Sequence, residues 1–293
     1  MDAMNLQAAL AAFQVQLCAD GRSEHTKRQY ERHVRALITW LKQSRRPRTL
    51  RSLTPAKVAA FFASDAASMS ARGGRKRATS ANAQRTSIRC FCRWAHESGL
   101  IASNPARLLR RARCAAPPPK ALRDDEQERL LAVLADAEGQ AAARDRMLIE
   151  LLLGSGIRIG SAIALDVEDL DLDHGEVMLR TSKGDRPATA VLPKAVVAAL
   201  RNHIGERRTG PLFLADDRRV SMRHSQRRIG QWFEAAGITG RSAHSLRHAF
   251  ATRLLQKTGD LRLVQTALNH ASIVSTTIYA SIERERVRTA VGG

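Results

Sequence analysis

The chain of 293 residues carries 48 Lys and Arg against 28 Asp and Glu, a formal charge of +20, with 44% hydrophobic and 26% charged residues. That apolar share excludes a wholly disordered chain, and at about 100–200 residues per domain the length suits two domains. The charge points to a polyanionic partner, nucleic acid before an anionic membrane surface. No apolar run nears the roughly 18 residues of a bilayer span, and the opening MDAMNLQAAL lacks a basic secretory n-region, so neither a membrane protein nor a secreted one is expected.

In chain order, Thr26 to Leu41 places Tyr30, Val34, Leu37, Ile38 and Leu41 on one helical face, with Ser23 as a candidate N-cap. Arg28, Arg32 and Arg35 fall on the opposite side. Thr54-Pro55 opens a second helix through Val58, Phe61 and Phe62, cap followed by an N1 proline. A basic loop from Ser70 to Arg77 contains Gly73-Gly74, and a third helix runs from about Ser80 to Ser98 on a stripe of Ile88, Phe91 and Trp94 until Gly99 stops it. Cys18, Cys90, Cys92 and Cys114 lack paired CxxC spacing and read as reduced cytosolic thiols, neither a disulfide framework nor a zinc site.

The prolines of Ala115-Ala116-Pro117-Pro118-Pro119 favour an extended linker, which predicts a domain over 1–114, a linker over 115–119 and a second domain over 120–293. Residues 1–119 hold 22 Lys and Arg against six Asp and Glu, whereas the rest of the chain holds 26 against 22. The front domain therefore reads as the part that grips phosphates, through Arg28, Arg32, Arg75, Lys76, Arg77, Arg85 and Arg89. An ordinary solvated face is the bland alternative, and the uneven charge argues against it. An aromatic content of 4% speaks against a single-strand stacking platform.

The back domain mixes periods. Asp124–Ala137 and Arg144–Leu153 are helical, and Glu176–Arg180 and Thr189–Leu192 alternate as short strands around a turn at Ser182–Asp185. Helices return after Lys194, near Gln226–Ala236, Leu246–Gln256, Leu261–Ala267 and Ser275–Ala280. The predicted fold class is mainly α with a small antiparallel β-sheet.

Four signals in this domain carry chemistry. Arg158 follows the Gly154-Ser155-Gly156-Ile157 turn, Lys183 sits at the hairpin tip, His244, Arg247 and His248 share the segment HSLRHAFAT, and His270 precedes Tyr279 by nine residues. Each alone has a structural explanation: a capping Arg, a solvated Lys, a hydrogen-bonded His, a half-buried Tyr. Together they suit phosphodiester cleavage. Two arginines clamp a phosphate, imidazoles move protons, an ammonium serves as acid for an alkoxide, and a tyrosine hydroxyl among cations becomes a nucleophile.

At these residues the sequence resembles the tyrosine recombinase/integrase family, in particular its compact Xer-type members. The ordered set is Arg158, Lys183, His244 with Arg247, His270 and Tyr279, carried by GSGIRIGSAIAL, HSLRHAFATRLL and LNHASIVSTTIYA. In the front domain SEHTKRQYERHVRALITWL, LTPAKVAAFF and GLIASNPARLLRR are similar to the family's helical, SAM-like core-binding domain. The resemblance implies an α+β catalytic domain in which Tyr279 attacks the scissile phosphate, giving a 3′-phosphotyrosyl link and a free 5′-hydroxyl. Arg158 and Arg247 would hold the non-bridging oxygens, His244 would assist proton transfer, His270 would donate to the phosphate, and Lys183 would protonate the leaving oxygen. It further implies a Holliday junction, no metal, no ATP or other cofactor, and a homo-tetramer, or a hetero-tetramer with a related recombinase, on double-stranded DNA with specific core sites. The setting would be cytoplasmic and nucleoid-associated, in dimer resolution or mobile-element integration and excision.

The pattern departs from the family's in four places, one of them the Ser-Thr-Thr run before Tyr279, which is displaced by one while the spacing from His270 to Tyr279 is kept. Asn269 stands where glycine usually precedes the second histidine, Gly160-Ser161-Ala162 replaces an acidic residue, and Arg253 stands where Xer-type chains often have histidine. Three rival readings are weaker. His244 and His248 have the spacing of a zinc hydrolase, but Ser245 occupies the place of the HExxH glutamate. A helical DNA-binding regulator leaves the ordered catalytic set unexplained, and a type IB topoisomerase would share that set without the recombinase boxes.

Overall fold

Asn5 accepts a 2.8 Å hydrogen bond from Gln7 N–H and opens helix α1 (Leu6–Ala19), which buries Leu6, Leu10, Phe13 and Leu17 at helical spacing. The periodicity reading starts at Thr26 and passes over this helix. Its stripe is diluted by alanines and glutamines, so the apolar face is narrow. Helix α2 (Glu24–Gln43) follows, with Val34, Leu37, Ile38 and Leu41 buried and the Ser23 hydroxyl accepting from Thr26 N–H at 3.3 Å. Helix α3 (Pro55–Ala63) is capped by Thr54, a single turn α4 (Asp65–Ser68) follows, and α5 (Ala78–Glu97) ends before Gly99 at φ 71°. Their faces meet around Phe13, whose ring lies edge-on to Phe91 with centroids 5.4 Å apart. Cys18, Cys90, Cys92 and Cys114 are free, and burial pushes the Cys92 thiol up to about 12.

This computed structural model describes residues 4–43, 49–70, 73–114, 121–180 and 188–268. The chain divides into two units, Met1–Ala115 and Ala116–Gly293. In the second, α6 (Asp124–Ala135) and α7 (Gln140–Ser155) are followed by a six-residue helix α8 (Ile159–Ala164). Helix α7 is the hub and buries Leu148, Ile149, Leu151, Leu152 and Leu153, apolar nearly all round as a central helix must be. It begins at Gln140, before the predicted Arg144, and holds Arg144 and Asp145 buried and paired side chain to side chain at 2.7 Å.

The sheet has three antiparallel strands in the order β1 (Leu170–Asp171), β2 (Glu176–Leu179) and β3 (Ala188–Val191), with Val177 opposite both Leu170 and Ala190. Strand β1 is too short to show alternation in the sequence. Helix α9 (Lys194–Ile204) leads to a two-stranded hairpin, β4 (Leu214–Ala215) and β5 (Arg218–Arg219), turned by Asp216 and Asp217 at φ 51° and 57°. Both central residues in left-handed backbone match a type I′ turn, where aspartate is tolerated. Helices α10 (Met222–Ala235), α11 (Ala243–Thr258) and α12 (Leu261–Ala267) complete the described chain. The predicted turn at Ser182–Asp185 and the helix at Ser275–Ala280 lie outside the described residues.

Candidate active site

The site begins where α7 stops. Gly156 takes left-handed backbone at φ 65°, and its N–H closes the helix onto Leu152 O at 3.1 Å. A Cβ at this position would run into the ring of Phe250 on α11, so the turn requires glycine for both backbone and space. Two residues on, Arg158 occupies the N-cap position of α8 at φ −73° and ψ 142°, half-buried. The chain thus reverses and presents Arg158 beside the start of α11.

Helix α11 supplies the second half. Ser245 is buried, and its hydroxyl accepts from Ser242 N–H at 3.2 Å, fixing the first turn. Arg247, only 5% exposed, donates through Nη1 to Gly156 O and through Nη2 to Leu268 O at 2.7 Å. One guanidinium therefore ties together the turn that carries Arg158, the helix that carries His244, and the last described residue before the segment of His270 and Tyr279. His244 sits at the mouth, its ring edge-on to His248 at a centroid distance of 4.4 Å. Partial burial, then the charges of Arg247 and Arg158, lower its pKa below the ordinary histidine range.

Arg158, His244 and Arg247 line one cleft of about 760 Å³, with Met222 and Gln226 of α10 and Arg241 around them. Arg241 was not singled out from the sequence. It clamps Glu126 through Nη2, at 2.9 Å and 3.1 Å to the two carboxylate oxygens. Glu126 also accepts from Arg123 N–H at 2.9 Å. Burial alone would raise the Glu126 pKa, but those hydrogen bonds and the Arg241 charge hold it below the usual carboxylate range. The start of α6 is thereby pinned to the start of α11. The only sequence sign of this was an arginine directly before the cap.

Lys183, His270 and Tyr279 lie outside the described residues. The base of the hairpin that carries Lys183 is described. Arg180 donates to Asp169 at 2.6 Å and to Asp166 at 2.8 Å, while Arg219 on β5 pairs with Asp166 and donates to Ile163 O and Leu165 O at 3.0 Å and 2.8 Å. These bonds moor the hairpin to the end of α8, the helix that Arg158 starts. Arg253, where Xer-type chains often have histidine, donates to Leu153 O at 2.7 Å. Among the described residues no three His, Cys, Asp or Glu side chains converge as metal ligands.

In the front unit Arg28, Arg32, Arg75, Arg77 and Arg89 are exposed. Lys76 is half-buried and donates to Ala67 O and Gln84 Oε1, both at 2.9 Å; burial, then Arg32, lowers its pKa. Arg85 lies over the Phe62 ring, 5.2 Å from its centroid. Arg32 and Lys76 share a concavity of about 570 Å³ with His33, Ser80 and Gln84.

Residues 120–286 match the Phage integrase family and residues 10–99 the Phage integrase, N-terminal SAM-like domain. The chain belongs to the phage integrase family, the tyrosine recombinases, enzymes that cleave and rejoin DNA. It is 31% identical to Tyrosine recombinase XerC of Mycobacterium sp. (strain JLS) over 297 residues, covering 97% of both chains. Its fold is shared with a lambda integrase(75-356) dimer bound to a COC′ core site, at TM-score 0.71 and 20% identity over 92% of this chain and 96% of that one. It is shared too with the XerH site-specific recombinase bound to difH substrate, at TM-score 0.70 and 22% identity over 90% of this chain and 78% of that one.

Proposed function

We propose that this chain recombines duplex DNA at specific core sites through a covalent phosphotyrosyl intermediate, with Tyr279 as nucleophile and Arg158, Lys183, His244, Arg247 and His270 as its catalytic partners. The observation that carries the reading is Arg247. Its guanidinium joins Gly156 O and Leu268 O, and the first-arginine turn and the HSLR segment line one cleft.

The scissile phosphate enters that cleft with its non-bridging oxygens on Arg158 and Arg247. Both guanidiniums neutralise the charge that builds in the pentacoordinate transition state. Tyr279 loses its proton towards His244, whose lowered pKa keeps the imidazole neutral and able to accept it. The P–O5′ bond breaks, Lys183 donates a proton to the leaving oxygen, and the strand stays joined to Tyr279 through its 3′-phosphate. A 5′-hydroxyl from a partner strand then displaces the tyrosine, and the phosphate-ester bond is conserved at each step. The front domain over 1–114 holds the duplex, the domain over 120–293 cuts it, and four protomers on two sites pass through a Holliday junction. The relatives named above support this setting, and the proposed place of action is DNA in the cytoplasm, at the nucleoid.

Suicide duplexes nicked near candidate sites beside the gene test the reading. The native chain is expected to form a denaturation-resistant adduct without added metal, and Tyr279→Phe none. An adduct that persists in the Phe variant overturns the nucleophile assignment. Strand-exchange products that persist in that variant would likewise overturn Tyr279 as nucleophile.

A further inference from the structure

Among the described residues three glycines lie inside helices: Gly154 on α7, Gly160 on α8 and Gly230 on α10. Packing explains two of them. A Cβ on Gly154 would press on Val196 Cγ2 at 2.6 Å, and one on Gly160 would meet the methyl of Met222 at 3.1 Å. Gly230 has neither that reason nor a left-handed φ, and no described neighbour stands within 4 Å of a Cβ built on it. A glycine in a helix interior weakens the helix relative to alanine, because it loses more backbone freedom on folding. No neighbour among the described residues offsets that loss.

The place of Gly230 supplies the missing reason. Met222, Gln226 and Gly230 recur every four residues and line the cleft that holds Arg158, His244 and Arg247. Arg228 and Trp232, two residues to either side of Gly230, fall about 200° round the helix, on its far face. There they are anchored on α7: Arg228 Nε donates to Asp145 Oδ2 at 2.6 Å and Trp232 Nε1 to the same oxygen at 2.9 Å. Asp145 is only 3% exposed, and its other oxygen accepts from Arg144 Nε and Nη2 at 3.0 Å and 2.7 Å. Such a buried carboxylate yields reluctantly, since parting it from a charged partner leaves charge uncompensated. Helix α10 is held from behind at the turn where its cleft face is bare.

We propose that Gly230 is a clearance at which the duplex comes into van der Waals contact with the main chain of α10, and that Asp145 is the positioning residue that keeps α10 from retreating. The inference rests on the recombinase reading and adds two residues that the reading leaves out. A methyl group at position 230 meets the duplex instead of empty space. The penalty is steric, with no change of charge.

The test sets stability against binding in the full chain. Gly230→Ala is expected to raise the midpoint of urea unfolding, as removal of a helix-interior glycine should. On a labelled duplex of the suicide-substrate sequence it is expected to weaken affinity and slow adduct formation by about tenfold, the order that overpacking a fitted contact costs. Gly230→Leu should lose more. Ala235→Leu adds bulk at an exposed position of the same helix, outside the cleft lining, and should leave affinity unchanged. Unchanged affinity in Gly230→Ala overturns the clearance, and so does an equal loss in Ala235→Leu. A lowered unfolding midpoint in Gly230→Ala overturns it too, because the fold itself would then need the glycine. Asp145 is tested by repeating Gly230→Ala in the Asp145→Asn background, where a helix free to retreat should cut the penalty to about twofold. Trp232→Phe removes one donor to the same carboxylate and carries this test where Asp145→Asn does not fold. An undiminished penalty in the loosened background removes Asp145 from the proposal. A native chain without any adduct sinks the recombinase reading alone, because the affinity ratio of native to Gly230→Ala still decides the clearance.

Discussion

Arginine does different work in the two units. In the front unit the ion pairs among described residues are Lys27–Glu24, Arg35–Glu31 and Arg93–Glu97, each one turn apart on a single helix. Exposed pairs of this kind are worth a few tenths of a kcal/mol at most. The back unit has such local pairs too, Arg146–Glu150 among them, and adds pairs that join distant elements. Arg241 reaches Glu126, Arg228 reaches Asp145, Arg180 reaches Asp166 and Asp169, and Arg219 reaches Asp166. The acid count explains the contrast: 22 carboxylates follow residue 119 and six precede it. Where acids are available, arginine becomes a strut that fixes the cleft. Where they are scarce, it stays at the surface with its charge uncancelled, and the back unit's near-neutral sum conceals the few guanidiniums proposed to do chemistry.

The largest expected effect would break this contrast if it failed. Arg158→Ala should lower the first-order cleavage rate by about 10²–10³, the usual loss when one donor to a developing oxyanion is removed. Duplex affinity should change little. Arg32→Ser should do the reverse, weakening binding with a reduced salt slope and leaving the rate on saturated duplex almost unchanged. Single-turnover cleavage and salt titration of both variants check the pair. An affinity loss for Arg158→Ala matching that of Arg32→Ser would erase the division of labour.

A smaller effect sharpens it at the level of the backbone. Gly99 and Gly156 both end helices in left-handed backbone, at φ 71° and 65°, but open space surrounds a Cβ on Gly99 while one on Gly156 meets Phe250. Gly99→Ala should cost about 1 kcal/mol of unfolding free energy for the backbone alone. Gly156→Ala should cost about 2–4 kcal/mol, since overpacking adds to the same strain. Urea unfolding measures both. Equal losses would mean that Phe250 gives way freely and that the turn is not held from α11.

How much of this was legible in the sequence depends on the kind of residue. Long stripes such as Val34, Leu37, Ile38 and Leu41 announced α2, and Thr54-Pro55 announced α3, because caps and periodicity are local signals. Helix α1 escaped since its stripe runs through alanine and glutamine, and β1 and the β4–β5 hairpin escaped since two-residue strands have no period. The cleft divides in the same way. Arg158, His244 and Arg247 were readable as an ordered set. Arg241 acts through a partner 115 residues away, Glu126, and no local pattern encodes such a pairing.

The smallest effect concerns two histidines, one in each unit, whose pKa values are both depressed. In the front unit His33 faces Ser87 Oγ at 2.8 Å, and burial, then the charges of Arg32 and Lys76, lower its pKa from 6.5 to about 4. The unfolded chain then binds a proton that the folded chain refuses. The stabilisation is complete above pH 6.5 and is lost progressively as pH falls towards 4. His33→Asn should flatten the dependence of unfolding free energy on pH in that window, without altering how cleavage depends on pH. In the back unit burial, Arg247 and Arg158 keep His244 neutral below the ordinary histidine range. Single-turnover cleavage by the native chain should therefore have its acid-side midpoint below pH 6.5. A half-maximal rate at or above 6.5 would remove His244 as the group that accepts the tyrosine proton. An unchanged stability profile for His33→Asn would instead place the front unit's pH sensitivity elsewhere. One depressed histidine is thus expected to report on folding and the other on chemistry, because the first bonds Ser87 within the front unit while the second lines the cleft with Arg158 and Arg247.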